Sequence, residues 1–414
     1  MLFRSAGKAV SAEALAQAES YIEAEEGAAN KLRGALAVLI TVLAIGMSVF
    51  HLYTAYAIVP TQTLRPLHVS MVLVLTFLMF PVAARYRHRI MLWDWLAAIL
   101  SIAIVWYLIQ GGDDFTDRNT MPEAWDIFFG IALIALILEA MRRTNGWVMP
   151  VVTLAFIAYA LVGPWLPAPW THKGYEVGRL IGVLYMTLEG IYGAAVDVSS
   201  SLIILFTIFG AFLQYSGAGK FYIDFSFAAM GGKPTGAGRT VVLASFLLGG
   251  PSGSGVATTV TLGAVAYPML AKVGYEKNAA GGLLSAGGLG AIISPPVLGA
   301  AAFLIAEFLK ISYLDVLLMA IIPTGLFYLA LFLMVEIDAR KYAMGRSSFE
   351  AADTLWNLTR KYWFHFLSLI SIVVFMMMGF SPVMSVFWAT IVSGLTSLLR
   401  SDTTLLPYNL LGDR

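Results

Sequence analysis

The sequence predicts an all-α polytopic membrane protein of about ten transmembrane helices, with one re-entrant hairpin and one broken helix among them. Three observations carry that prediction. The 414 residues are 59% hydrophobic and only 12% charged, about half the charged fraction of a soluble domain, and the mean hydropathy is +0.79. Apolar stretches able to cross about 30 Å of hydrocarbon at about 1.5 Å per residue recur between charged or Pro/Gly clusters. Two such stretches are interrupted near their centres, one by a Gly/Ser/Pro run and one by a Pro-Pro pair. Composition also excludes several functions. With 26 Lys and Arg against 25 Asp and Glu, no basic surplus exists to neutralise phosphates, so no nucleic-acid partner is expected. The absence of cysteine removes disulfides, thiolate metal sites and thiol nucleophiles. Five scattered histidines (His51, His68, His88, His172, His365) show no ligand spacing, and no nucleophile–base pair marks an enzyme.

Residues 1–34 are polar, with Glu13, Glu19, Glu23, Glu25 and Glu26 among alanines. They lack the charged start and cleavage site of a signal peptide and read as a helix outside the bilayer. Spans are then expected at Ala35 to Tyr56, His68 to Ala84, Met91 to Ile109, Trp125 to Met141, Trp147 to Leu166 and Val198 to Tyr215. Further spans are expected at Leu314 to Glu336, Tyr362 to Phe380 and Val383 to Leu399. Glu176 to Ile191 places Val177, Leu180, Ile181, Leu184, Leu188 and Ile191 on one face against Arg179 and Glu189, the pattern of an interfacial helix. Lys220 to Met230, rich in Phe and Tyr, reads similarly. Glu139, Glu307 and Glu336 near span ends, and Asp94 and His365 near span starts, read as boundary residues.

Arg239 to Leu270 is a single apolar run broken by Gly249-Gly-Pro-Ser-Gly-Ser-Gly255. Positive charge decides how it runs, because cytoplasmic loops collect Lys and Arg. If the run turns back as a hairpin with a cytoplasmic mouth, and the N-terminus is cytoplasmic, only Arg65, Arg118, Lys173, Arg179 and Lys310 of the 26 positive residues lie outside. A single full crossing would instead divide the 26 evenly, so the hairpin is preferred. Asn278 to Leu309 contains Pro295-Pro296. Each proline lacks an N–H and clashes four residues back, so the helix must break and the carbonyls of Ala291 and Ile292 lose their helical donors.

Non-helical backbone at membrane depth is tolerated only where protein buries it or a water-filled cavity receives it. After Pro251, Ser252 and Ser254 stand where a second half-helix starts. They can cap it, and its exposed amides suit an anion. The freed carbonyls of Ala291 and Ile292, with the Ser294 hydroxyl, supply oxygens for a small hard cation. Discontinuous helices of this kind bind substrate and ion near the midplane of transporters. Gly282, Ala286, Gly290 and Ser294 form a small-residue ladder that would admit another helix or the hairpin. No ladder of buried carboxylates marks a proton wire, which favours a sodium-like coupling ion. GGPSGSG is not a phosphate loop, since no Gly-Lys-Ser/Thr follows it.

The run from Gly250 through Leu270, then Gly274-Tyr275, then Ala286 through Leu309 with its Ser294-Pro-Pro break, resembles the large membrane subunit of TRAP (tripartite ATP-independent periplasmic) transporters. The Gly-Ala-Ala-Ala-Phe stretch and the Ala-Glu-Phe-Leu ending resemble the fused permeases of the TAXI branch, where small and large subunits share one chain. The resemblance implies a four-helix small-subunit-like domain over 35–146, a joining helix and linker over 147–175, the first repeat of the large subunit over 176–361, and an incomplete second repeat over 362–414. It implies an elevator-type transporter half in a bacterial-type inner membrane, using Na+ to import an organic acid delivered by an extracytoplasmic solute-binding protein. By position, Ser252, Gly253, Ser254 and Thr258 would line the ion and substrate region, completed by Gly290, Ile292 and Ser294. Sodium would sit at Ser252, Ser254, Ile292 and Ser294, and no other cofactor is implied. The family's large subunit carries a second hairpin, and no second Gly/Ser-rich hairpin occurs between Tyr362 and Arg414. The expectation is therefore a C-terminally truncated or split permease whose missing half comes from a second chain, the alternative being a non-transporting membrane scaffold.

Overall fold

The structure, a computed structural model, describes residues 29–30, 32–230, 235–252, 255–342 and 353–405, with 84, 250–252 and 257 described at the backbone alone. Helices account for the regular structure, and no strand occurs among the described residues. The chain divides into one compact unit of Glu19–Ser200 and another that begins at Ser201. Among the described residues, seven helices are long and apolar enough to cross a membrane, and a bent helix pair makes an eighth candidate. This is the pattern of a polytopic membrane protein.

In the first unit these are α1 (Ala35–Tyr56), α2 (Thr61–Met79), α3 (Leu92–Asp117), α4 (Ala124–Asn145) and α5 (Val148–Val162). Their polarity is inverted relative to a soluble bundle. Val38, Val42, Ile45, Val49, Leu96, Ile99, Ile102 and Trp106 are exposed, whereas His51, His68, Asp94, Ser101 and Asp126 are buried. Lipid tails impose no penalty on exposed aliphatic side chains, but a polar group facing hydrocarbon finds no partner, so the polar groups turn inward. Between the helices, Phe77, Ile104, Leu133 and Tyr185 are fully buried and form the packing centre.

The expected interfacial helix is shorter than its sequence pattern. α6 spans Val177–Met186, because the backbone turns extended at Thr187 and the Ile191 amide donates back to the Leu184 carbonyl at 2.8 Å. Its buried face is Ile181, Gly182, Tyr185 and Met186, and it packs on α4. Of the apolar stripe, Ile181 is thus covered by protein while Val177 stays exposed, and the first compact unit extends to Ser200.

α7 (Ala194–Tyr215) leads into the second unit. There follow α8 (Ala218–Met230), α9 (Gly236–Ser252), α10 (Gly255–Lys272), α11 (Lys277–Ile293), α12 (Ala300–Leu309) and α13 (Tyr313–Lys341). The last three are α14 (Leu355–Tyr362), α15 (Phe364–Met377) and α16 (Pro382–Ser397). α14 and α15 meet at 60°. α8, expected at an interface, buries Phe221, Tyr222 and Phe227. The Tyr222 hydroxyl donates to the His365 carbonyl at 2.9 Å, which ties α8 to α15. The unit's core is built from Val241, Val242, Leu262, Leu270, Ala280 and Val335.

The boundary carboxylates all find cations. Glu139 accepts from Arg142 and Arg143, Glu307 pairs with Lys310 and Glu336 with Arg239. Asp94 is the most enclosed. Its carboxylate lies 2.6 Å from Arg143 Nη1, with both side chains almost wholly buried, and the same nitrogen also donates to the Phe80 carbonyl at 3.0 Å. Removing one partner of a buried pair leaves the other charge uncompensated, at a cost of about 3–5 kcal/mol. Arg143→Leu is therefore expected to lower the unfolding midpoint of the detergent-solubilised protein sharply, and adding Asp94→Asn should recover part of the loss; a midpoint unchanged in the single variant would show that the pair does not hold α3 to α4.

Candidate functional site

The two interrupted stretches come together within the second unit. α9 ends at Ser252, α10 begins at Gly255, and the two pack on each other as a hairpin. Both also pack along α11, the helix that stops before Pro295-Pro296. The hairpin's apex meets the last turns of α11 backbone to backbone. A Cβ added at Gly249 would lie 2.5 Å from the Ala291 Cα, and one added at Gly255 would lie 3.0 Å from the Gly288 carbonyl oxygen. A Cβ at Gly288 would in turn collide with Thr259 Oγ1 and the Gly255 carbonyl. Only glycine allows helices to approach so closely.

The small-residue ladder does not form the face that meets the hairpin. Gly290 faces Phe327 and Tyr328 of α13 and Gly282 has open space around it, whereas the hairpin meets Gly288 and Ala291, which lie outside the ladder. Ser294 follows Gly290 by one turn and lies on the α13 side as well.

At the break, α11 ends at Ile293 and α12 starts at Ala300. The carbonyls of Ile292 and Ile293 are met by identifiable donors. The Gly299 amide donates to the Ile292 carbonyl at 2.7 Å, and the Thr324 hydroxyl donates to the Ile293 carbonyl at 2.6 Å. Ser294 is fully buried and donates to the Gly290 carbonyl at 2.6 Å. Tyr328 Oη lies 3.0 Å from Ser294 Oγ. With the serine proton committed to Gly290, the tyrosine is the donor in that contact, and the Ser294 oxygen keeps one lone pair. The Ile292 carbonyl likewise retains a lone pair after Gly299 has donated to it. The break can therefore offer hard oxygen ligands without carrying formal charge, the chemistry an alkali cation requires.

Among the sequence-derived candidates, Gly290, Ile292 and Ser294 thus lie at the helix end, and Thr258 is buried on α10. Pro295 and Pro296 form the break, and Pro251 and Ser252 close α9. Gly253 and Ser254 lie outside the described residues. Sequence reasoning missed Thr324 and Tyr328, which close the break from α13, and Thr259, whose hydroxyl donates to the Gly255 carbonyl at 2.7 Å. The only local signal was Pro323 beside Thr324 within a long apolar helix. Among the described residues no group of three or more His, Cys, Asp or Glu could hold a metal ion.

At the hairpin's base, Arg239 pairs with Glu336 and fastens α9 to α13. Tyr275, in the turn between α10 and α11, has a buried hydroxyl. Burial, aided by the carboxylates of Asp338 and Glu336, pushes its ionisation up to about 12, so it remains a neutral phenol at physiological pH.

The first unit holds a polar chain that the spacing of histidines did not reveal. His51 Nδ1 lies 2.7 Å from the Met47 carbonyl oxygen, which can only accept, so this nitrogen carries the proton. In the neutral ring Nε2 is then an acceptor, and it receives His68 Nδ1–H at 2.9 Å. His68 Nε2 accepts in turn from the Ser199 hydroxyl at 3.0 Å. Both rings are buried. The members come from positions 51, 68 and 199, a separation that no local motif records, and they link α1, α2 and α7 by direct hydrogen bonds.

Residues 132–406 match the family described as "Tripartite ATP-independent periplasmic transporter, DctM component". The chain belongs to this family. Among curated relatives, it is 35% identical over 109 residues to the 2,3-diketo-L-gulonate TRAP transporter large permease protein YiaN of Escherichia coli, a stretch that is 26% of each chain. It is 34% identical over 91 residues to the C4-dicarboxylate TRAP transporter large permease protein DctM of Rhodobacter capsulatus, covering 22% of this chain and 21% of that one. With the protein of the same name from Pseudomonas aeruginosa it shares 30% identity over 162 residues, 37% of each. The matched stretches thus span less than half the length of these relatives. The family range includes the hairpin, the broken helix and α13.

The apex packing can be tested without any assay of activity. Gly249→Val would force a side chain into the Ala291 backbone and is expected to destabilise the detergent-solubilised protein by about 1–3 kcal/mol, as overpacking does. Gly282→Ala, in open space on the same helix as Ala291, should be neutral or stabilising by up to about 1 kcal/mol. Equal unfolding midpoints for the two variants would contradict the close approach.

Proposed function

We propose that this chain is the membrane permease component of a sodium-coupled secondary transporter that imports an organic acid handed over by an extracytoplasmic binding protein. The observation that carries this reading is the meeting of the hairpin's apex with the α11 break, where Ser294 Oγ and the Ile292 carbonyl offer neutral oxygens beside a second helix end. Ser252, Gly253, Ser254 and Thr258 contribute the hairpin side of the site, and Gly290, Ile292 and Ser294 the broken-helix side. The sodium ion neutralises part of an acidic solute's charge, and the amide end of α10 faces the carboxylate. Membership of the DctM family supports the transport reading, and the relatives' names, which include 2,3-diketo-L-gulonate and C4-dicarboxylate carriers, support an acidic solute.

The chain is further proposed to be a TAXI-type fusion in a bacterial inner membrane, with a cytoplasmic N-terminus and an elevator-like movement of hairpin and broken helix. The bias of positive residues supports this topology.

In proteoliposomes containing the permease and its binding protein, Ser294→Ala is expected to weaken the sodium dependence of uptake. Tyr328→Phe, which removes a donor to Ser294 but leaves the serine oxygen in place, should alter it much less. An unchanged sodium response in Ser294→Ala would remove Ser294 from the ion site. Orientation is tested separately: Lys272→Cys should react with a membrane-impermeant thiol reagent only from the cytoplasmic side, and labelling from outside would overturn the re-entrant topology.

A further inference from the structure

The ends of α14, α15 and α16 border an open hollow of about 510 Å³ lined by Asn357, Arg360, Lys361, Trp363, Phe364, Leu399 and Arg400. Every ionisable residue in that lining is a cation. Two nearby carboxylates hold two of the cations in place. Asp353 pairs with Lys361 at 2.8 Å, and its own ionisation is held down to about 2, first by that lysine and then by Asn357. Asp402 pairs with Arg400 at 2.8 Å and accepts from Tyr362 at 2.7 Å, while the Arg400 guanidinium lies 5.0 Å above the Tyr362 ring. On α8, which packs against α14, Asp224 and Lys220 offset one another. Arg360 forms no ion pair among the described residues, and it is exposed.

The surroundings are those of a membrane boundary. α14 is an eight-residue helix that ends in a 60° bend into α15, and Trp356 and Trp363 are both exposed beside the cations. Below the hollow, Leu367 and Ile370 on α15 and Leu395 on α16 are exposed along the flanks of the helix pair. Tryptophan at a bend, basic residues on its polar side and an aliphatic strip leading away match the order of a phospholipid from headgroup to acyl chain.

We propose that this hollow binds the headgroup of an anionic phospholipid, with its phosphate between Arg360 and Arg400 and its acyl chains along the α15–α16 surface. Asn357 supplies an amide donor at the rim. A zwitterionic headgroup would bring a quaternary or primary ammonium toward the same three cations, so anionic lipid is selected by charge rather than by shape. The site is independent of the transport reading, because none of its residues belongs to the hairpin or the helix break.

The test uses the purified full chain in a neutral detergent, titrated separately with phosphatidylglycerol, with phosphatidylcholine of the same acyl chains, and with inorganic phosphate. Unfolding midpoints and the lipids retained in native mass spectrometry are recorded. Phosphatidylglycerol should raise the midpoint and remain bound, while phosphatidylcholine and inorganic phosphate should not. Arg360→Gln should weaken the apparent affinity for phosphatidylglycerol roughly fivefold, the effect of one basic residue at an anionic surface, and Arg360→Lys should keep most of it. Since Arg360 forms no ion pair among the described residues, the lipid-free midpoint of Arg360→Gln should equal that of the parent protein. The proposal is overturned if Arg360→Gln binds phosphatidylglycerol as tightly as the parent, if phosphatidylcholine is retained equally, or if inorganic phosphate alone reproduces the shift and so shows a free-anion site.

Discussion

A helix that stops inside an apolar bundle leaves carbonyl oxygens without donors, and hydrocarbon offers none. In this chain α11 stops at Ile293 because Pro295 and Pro296 cannot continue it, and the surrounding structure answers that defect. The Gly299 amide turns back to the Ile292 carbonyl, Thr324 reaches across from α13 to the Ile293 carbonyl, and Ser294 closes on Gly290 under the hydroxyl of Tyr328. Each donor requires a neighbouring element at a defined distance. The break therefore dictates where α12 and α13 lie, and the contact of α11 with the hairpin follows from the glycines that precede it.

The same rule explains the distribution of polarity elsewhere. Buried carboxylates in the first unit sit beside arginines, with Asp94 against Arg143 and Asp126 against Arg118, and buried imidazoles sit against a carbonyl, each other and a serine. Aliphatic side chains occupy the outer surfaces, where a soluble protein would place its charges. Packing and hydrogen bonding in this medium cooperate, because only glycine and small residues let helices come near enough for a hydroxyl on one to reach a carbonyl on the next.

Much of the fold was legible because hydropathy acts over whole spans. Ala35 to Tyr56 was read to the residue, and the expected spans near Trp125 and Leu314 recur as α4 and α13 with longer ends. Both interruptions were legible too, since Pro-Pro and a Gly/Ser run contradict a membrane helix locally. Three features were not. α6 ends at Met186 although its apolar period continues to Ile191, because the period records which face is apolar and not where the backbone turns. The face of α11 that meets the hairpin carries Gly288 and Ala291, one step round from Gly290 and Ser294, and a ladder of small residues does not say which neighbour each rung receives. The histidines looked scattered because 17 residues separate two rings that touch.

By itself the sequence determined that this protein is helical and membrane-embedded, where its helices must break, and which residue types the breaks place at the disposal of an ion or solute. Those conclusions need only composition, local steric rules and the cost of polar groups in hydrocarbon. Tertiary structure alone decided which oxygens at the break remain available, because that depends on donors from Gly299, Thr324 and Tyr328. It also decided the His51–His68–Ser199 chain and the cationic hollow between α14 and α16. Those arrangements join residues distant along the chain, and hydrogen bonds and ion pairs depend on distances of about 3 Å that no periodicity encodes.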